Sequence, residues 1–187
     1  MSADISTEIT MRGKKKELLA FIKVLRVFER DKLTQYQAGE ECSYIEFVEL
    51  DNGMDTVDLD DLTVAEIKEF ISECEENEIE VTMEGPYGRF GKLGETGLFE
   101  ALSEAAPKAS FEGSVTGDTT GAHVALDASL SDGILFLDES DTALEEWPQS
   151  CDFDKQAEFE NAASDASEKN MVSYTYDPIT RQYHGKE

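Results

Sequence analysis

An α+β fold, with an antiparallel sheet packed on one face by helices, is what this 187-residue chain predicts, on three observations. Glu78, Glu80, Thr82 and Glu84 alternate with Ile79, Val81 and Met83, the period of a half-buried strand. Segments 14–30 and 64–74 carry apolar stripes at helical spacing. Glu8, Ile9, Thr10, Met11 and Gly13 also recur as Glu80, Val81, Thr82, Met83 and Gly85, and each set precedes a segment with an apolar helical stripe. Two βαβ-like halves would account for that echo, and the architecture they predict is ferredoxin-like.

Taken in order, residues 5–11 alternate as a strand that Gly13 ends. The helix over 14–30 turns Leu18, Phe21, Ile22, Leu25 and Phe28 inward, with Lys16, Lys23, Arg26 and Arg30 on its other side. A second strand over 44–50 leads to the turn Asp51, Asn52, Gly53. Thr63 and Glu66 have capping-box spacing, so a helix starts there and buries Val64, Ile67, Phe70, Ile71 and Cys74. The strand over 78–84 follows, then a glycine-rich loop with Gly85, Gly88, Gly91 and Gly94, then a helix over 96–106 that Pro107 ends. Strands over 109–116, 123–130 and 134–138 form a meander turned at 117–121 and at Asp132, Gly133. The division expected is an α+β domain over 1–140 and an appendage over 141–187. The edge between them falls in an acidic linker at 139–146, and the appendage carries a short helix at 154–163 and a hairpin of 171–177 with 180–184 around Asp177, Pro178.

Charge is the strongest functional signal. Asp and Glu number 42 against 16 Lys and Arg, a formal net charge of −26. The acid is concentrated after residue 32, whereas the first 32 residues are slightly basic. Such a field repels nucleic acid and anionic membranes and steers basic partners or cations inward. Forty per cent apolar residues and ten Phe exclude a wholly disordered acidic chain. Proteome-wide salt adaptation is a rival account of the acidity, yet Lys outnumbers Arg and Glu outnumbers Asp, contrary to what an extreme halophile should show.

Cys42, Cys74 and Cys151 match neither a zinc site nor a redox pair and read as buried thiols. Residues 1–10 lack secretory-signal character and no apolar run has bilayer-spanning length, so a cytoplasmic location is expected.

Glu66, Glu69, Glu73 and Glu76 fall in one row on the second helix, and Glu78, Glu80 and Glu84 form a ladder on the next strand. Side by side they would present about one carboxylate per 3 Å, near the spacing of phosphates along a nucleic-acid strand. Asp58, Asp60 and Asp61 would extend the field. The plain alternative is a solvated acidic surface. Residues 51–62 do not fit a calcium loop, since Gly53 stands third rather than sixth and Leu62 replaces the final Glu. No metal or cofactor is expected. The glycine-rich loop matches no phosphate-binding fingerprint, although Tyr87, Arg89 and Phe90 would make a recognition tip. His123 and His184 have no nucleophile or metal ligand at a telling interval, so an enzyme is not expected.

The stretch Gly85-Pro86-Tyr87-Gly88-Arg89-Phe90, then Leu98-Phe99-Glu100-Ala101-Leu102 through Ala106-Pro107, then Ala109-Ser110-Phe111-Glu112-Gly113, resembles the ferredoxin-like accessory proteins carried on plasmids, phages and integrated elements of bacteria. The resemblance implies a mobile-element setting in which acidic inhibitors of host defence nucleases are common, and it carries over no residue role. The leading expectation is an acidic protein that inhibits or regulates a basic nucleic-acid-binding protein by mimicry, of anti-restriction or anti-CRISPR type. It would bind no nucleic acid or membrane itself. Its alternatives are a small-ligand or nucleotide-binding module using the 85–94 loop, and an acidic structural subunit, such as a homodimer, joined through the basic first helix.

Overall fold

A computed structural model describes residues 3–37, 47–74, 77–87, 97–119, 122–143 and 169–185. Its strands are β1 (Ala3–Arg12), β2 (Phe47–Asp51), β3 (Thr56–Asp58), β4 (Glu78–Tyr87), β5 (Ser110–Thr119), β6 (Ala122–Ser131), β7 (Ile134–Ala143), β8 (Val172–Asp177) and β9 (Gln182–His184). Its helices are α1 (Lys15–Gln37), α2 (Val64–Glu73) and α3 (Gly97–Ala105), with a 3-10 turn at Leu59–Asp61. All nine strands join one antiparallel sheet in the order β3-β2-β4-β1-β5-β6-β7-β8-β9. The α+β class expected from the sequence is present, in a sheet much larger than two βαβ halves supply. Within it, β1-α1-β2 and β4-α3-β5 interleave, because β4 lies between β1 and β2 while β1 lies between β4 and β5.

Period-two alternation decides which way each strand faces. Ile9 and Met11 of β1, Val48 and Leu50 of β2, and Ile79, Val81 and Met83 of β4 are buried. So are Phe111 and Val115 of β5, Leu126, Ala128 and Leu130 of β6, Leu135 and Leu137 of β7, and Tyr174 and Tyr176 of β8. They form one core with Leu18, Phe21, Ile22 and Leu25 of α1, Ile67, Phe70 and Ile71 of α2, and Leu98, Phe99 and Leu102 of α3. The helices therefore cover one face, and the intervening strand residues look out from the other. At the centre the Phe111 ring meets Phe21 edge-on and stacks on Phe99, with centroids 5.9 Å apart in each pair. Gly113 permits that approach of α3, since a Cβ there would stand 2.8 Å from the Phe99 ring.

The capping box is present as read: Thr63 Oγ1 accepts from the Glu66 N–H, and Glu66 accepts from the Thr63 N–H at 2.7 Å. Those bonds lower the Glu66 carboxyl below its ordinary value. Val64 is a correction, being 58% exposed: the packed part of α2 begins a turn later, at Ile67. Lys15 and Arg26 of α1 are engaged internally, donating to the carbonyls of Ser72 (2.8 Å) and Leu62 (2.9 Å). Lys15 thereby meets the carbonyl end of α2, where a cation is favoured. Lys16 and Lys23 are exposed, while the side chains of Phe28 and Arg30 lie outside the described residues.

The β2–β3 turn rests on Asn52, a buried polar residue. Its Oδ1 accepts from the N–H groups of Met54 and Asp55 at 2.9 Å, and its Nδ2 donates to Phe70 O of α2 at 3.1 Å. Asn52→Ala should cost about 1–3 kcal/mol, because it removes three bonds, one of them the buried contact with the Phe70 carbonyl. The midpoint of urea unfolding would register it.

Several boundaries differ from the sequence reading. Strand β4 runs on through Gly85 and Pro86 to Tyr87, paired with Ile5, Asp4 and Ala3, so the glycine-rich segment begins as strand rather than loop. Residues 88–96 lie outside the described ones. Strand β7 extends to Ala143, into the expected linker, because β6 offers partners as far as Ala122. The C-terminal hairpin forms as β8 and β9 and continues the same sheet through β7. The expected helix at 154–163 lies outside the described residues, as do Cys42 and Cys151.

Tyrosine–carboxylate contacts fasten that hairpin to α3 and β7. Tyr174 donates to Glu139 at 3.1 Å, Tyr176 donates to Glu104 at 2.5 Å, Tyr183 donates to Glu100, and Arg181 pairs with Glu104 at 2.7 Å. Burial first, and the neighbouring carboxylates next, push the Tyr174 and Tyr176 phenols well above their ordinary value. The native state thus holds these protons more tightly than the unfolded chain, which releases them near pH 10. Their stabilisation is complete below about pH 10 and should decline above it. Thermal melts at stepped alkaline pH should show melting temperature falling there, and Tyr174→Phe with Tyr176→Phe should flatten the decline.

Candidate functional site: an acidic open sheet face

Strand register assembles the face opposite the helices. One row across the sheet reads Asp58, Glu49, Thr82, Glu8, Ser114, Asp127, Asp138, Ser173, from β3 to β8. The adjacent row reads Thr56, Asp51, Glu80, Thr10, Glu112, Ser129, Phe136, Thr175. Neighbouring strands stand about 4.8 Å apart and same-face neighbours along a strand about 6.8 Å. The two rows together place eight carboxylates between β3 and β7, a span of roughly 29 Å. That averages one per about 3.6 Å, close to the roughly 3.4 Å per charge of a single nucleic-acid strand. Right-handed sheet twist turns successive strands by about 20–25°, so the rows wind rather than lie flat.

Arg12 is the cation on this face among the described strand residues. It pairs with Glu78 and lies 3.9 Å from Glu112, which leaves the other carboxylates of the two rows without a cation among the described residues. Like charges stand directly opposite at Glu49 and Asp58, Asp51 and Glu80, and Asp127 and Asp138. Such pairs oppose sheet formation. Among the described residues no three His, Cys, Asp or Glu converge as they would on a metal ion. Between β1 and β7 the face dips into an open depression of about 450 Å³, bordered by Glu8, Glu112, Asp127 and Asp138. The short side chains of Thr10, Ser114 and Ser129 create it, and the exposed Phe136 ring walls one side.

The residues singled out in the sequence divide between two layers. Glu78, Glu80 and Asp58 are on the open face. Glu66, Glu69 and Glu73 are exposed on α2, whose apolar side enters the same core as Ile79, Val81 and Met83 on the sheet's other face. The two rows of glutamates therefore do not run side by side, because a strand that buries its odd residues under a helix must send its even ones away from it. Asp60 and Asp61 are exposed in the 3-10 turn beyond β3. Glu84 is on β4 opposite Phe47 and Ser6, and Tyr87 ends β4 opposite Ala3, their side chains lying outside the described residues. Glu76, Arg89 and Phe90 lie outside them altogether.

Sequence reasoning missed Glu8, Glu49, Asp51, Glu112, Asp127 and Asp138. Each occupies an alternate position in a strand, which was the available signal, but only strand order unites them. Cys74 is half-buried, donates to Glu78 O at 2.5 Å, and has its thiol pushed up by burial, which disfavours the thiolate. No helix among the described residues is long and apolar enough to cross a membrane. No protein family, curated protein or solved structure matches this chain.

Proposed function

We propose that this protein docks a basic nucleic-acid-binding protein on the open face of its sheet, and so inhibits or regulates it by occupying the surface that nucleic acid would. One observation carries the reading: seven consecutive strands contribute carboxylates to a face that none of the described helices covers, at a spacing near that of phosphates. A face serving solubility alone has no need of like charges directly opposite each other, which weaken the sheet. A cationic partner relieves that repulsion and releases the counterions both surfaces hold. Counterion release favours association most at low salt. The scaffold is best read as a ferredoxin-like core, β2-β4-β1-β5 with α1 and α3, widened by β3 and α2 at one side and by the β6–β9 meander at the other. Anti-restriction or anti-CRISPR action is the specific form of the proposal.

The test is displacement of a labelled single-stranded oligonucleotide from a panel of purified nucleases, helicases and repressors across a salt series. The expected result is displacement from at least one member, with log affinity falling by several units per unit of log salt. Failure to displace oligonucleotide from any member at low salt would remove the proposal.

A further inference from the structure

Phe136 breaks the pattern of the open face. Strand β7 places it between Ser129 of β6 and Thr175 of β8, and the residue is 47% exposed among polar neighbours. A solvated face would carry a polar residue there. The ring instead borders the 450 Å³ depression. Asp138 follows two residues on, roughly 6.8 Å along the same side of β7, with Asp127 directly across from it. Glu112 is two strands away in the same row as Phe136, roughly 10 Å distant. An aromatic wall thus stands next to a pair of facing carboxylates, in a depression far larger than a bare ion.

We infer that this depression seats an arginine side chain of the basic partner, its guanidinium lying against the Phe136 ring and donating to Asp127 and Asp138. The inference rests on the open face being the docking surface and adds the chemistry of its anchor. A guanidinium is planar and weakly hydrated, stacks on aromatic rings and forks to carboxylates, whereas an ammonium is a compact, strongly hydrated point charge. One cation between Asp127 and Asp138 also cancels the repulsion of that pair. The face then has two parts: the β3-β2-β4 side attracts by charge alone, and the Phe136 depression distinguishes arginine from lysine.

Fluorescein-labelled nonapeptides of alternating Gly-Arg and Gly-Lys, equal in length and charge, provide the test by fluorescence anisotropy at low salt. The wild-type protein should bind the arginine peptide about fivefold more tightly or better. Phe136→Ala, a surface substitution whose folding a thermal melt verifies, should bring the two affinities together while changing lysine-peptide binding less than about twofold. Phe136→Tyr should keep the preference. Glu49→Gln with Asp51→Asn should weaken both peptides alike and leave their ratio unchanged. Equal binding of the two peptides by the wild type, or a preference that survives Phe136→Ala, overturns the arginine seat and leaves the acidic docking face standing. Binding of neither peptide overturns both.

Discussion

Replacing Glu49, Asp51, Glu80 and Glu112 with their amides is expected to make the protein more stable and to disable its binding. The stability gain follows from register. The four changes dissolve the facing pairs Glu49–Asp58 and Asp51–Glu80, and the single cation they leave less well paired, Arg12, retains Glu78. Relief of two cross-strand repulsions is worth about 1 kcal/mol in total, or about 2–4 °C in melting temperature for a chain of this size. The gain should shrink near 1 M salt, where screening acts within about 3 Å. Binding should move the other way, since four interface charges lost at a fraction of a kcal/mol to one kcal/mol each weaken a basic partner on the order of a hundredfold. The matched control is Glu66→Gln, Glu69→Gln and Glu73→Gln. It removes nearly as much charge from α2 and preserves the capping box, which accepts glutamine at that position. Displacement by this control should stay within about threefold of the parent. Equal loss from both sets would mean that net charge, not the open face, does the binding.

The contrast between those two variants marks where the sequence could be read and where it could not. Local signals were reliable. Thr63 and Glu66 announced the start of α2, the alternation from Glu78 to Met83 announced β4, and Asp132 with Gly133 announced the β6–β7 turn, where both adopt positive φ. These depend on neighbours within a few residues. The candidate site depends on none. Glu8 and Asp127 share a row only because β1 pairs with β5 and β5 with β6, and nothing near either residue encodes that. Adjacency in sequence misled for the same reason: α2 and β4 are consecutive, yet a helix and a strand that share a core turn their polar sides apart. Phe136 shows a further limit. On alternation alone it counts against the strand's polar face, so its exposure becomes visible only once Leu135 and Leu137 are seen to take the core.

Phe111→Ala is expected to be the most destabilising single change in the described core. The ring is 1% exposed and lies where α1, α3 and the sheet converge, edge-on to Phe21 and stacked on Phe99. Removing it takes away burial and leaves a cavity that two helices would have to close together, for a loss of about 3–5 kcal/mol. Gly113 makes collapse harder, because the approach of α3 there is already at contact and the helix cannot slide inward to fill the space. Against a total of about 5–15 kcal/mol for an ordinary domain, such a loss should shift the urea midpoint severely or abolish the folded baseline. Phe111→Leu, which keeps most of the volume, should cost markedly less and supply the folded comparison. Its neighbour Glu112 points the opposite way, so at temperatures where the leucine variant is folded its displacement of oligonucleotide should match the parent's. Core and acidic open face occupy opposite sides of one sheet, and alternate residues of β5 belong to one and then the other. A loss of displacement in a folded Phe111→Leu variant would mean that the open face is shaped by what packs beneath it rather than by register alone.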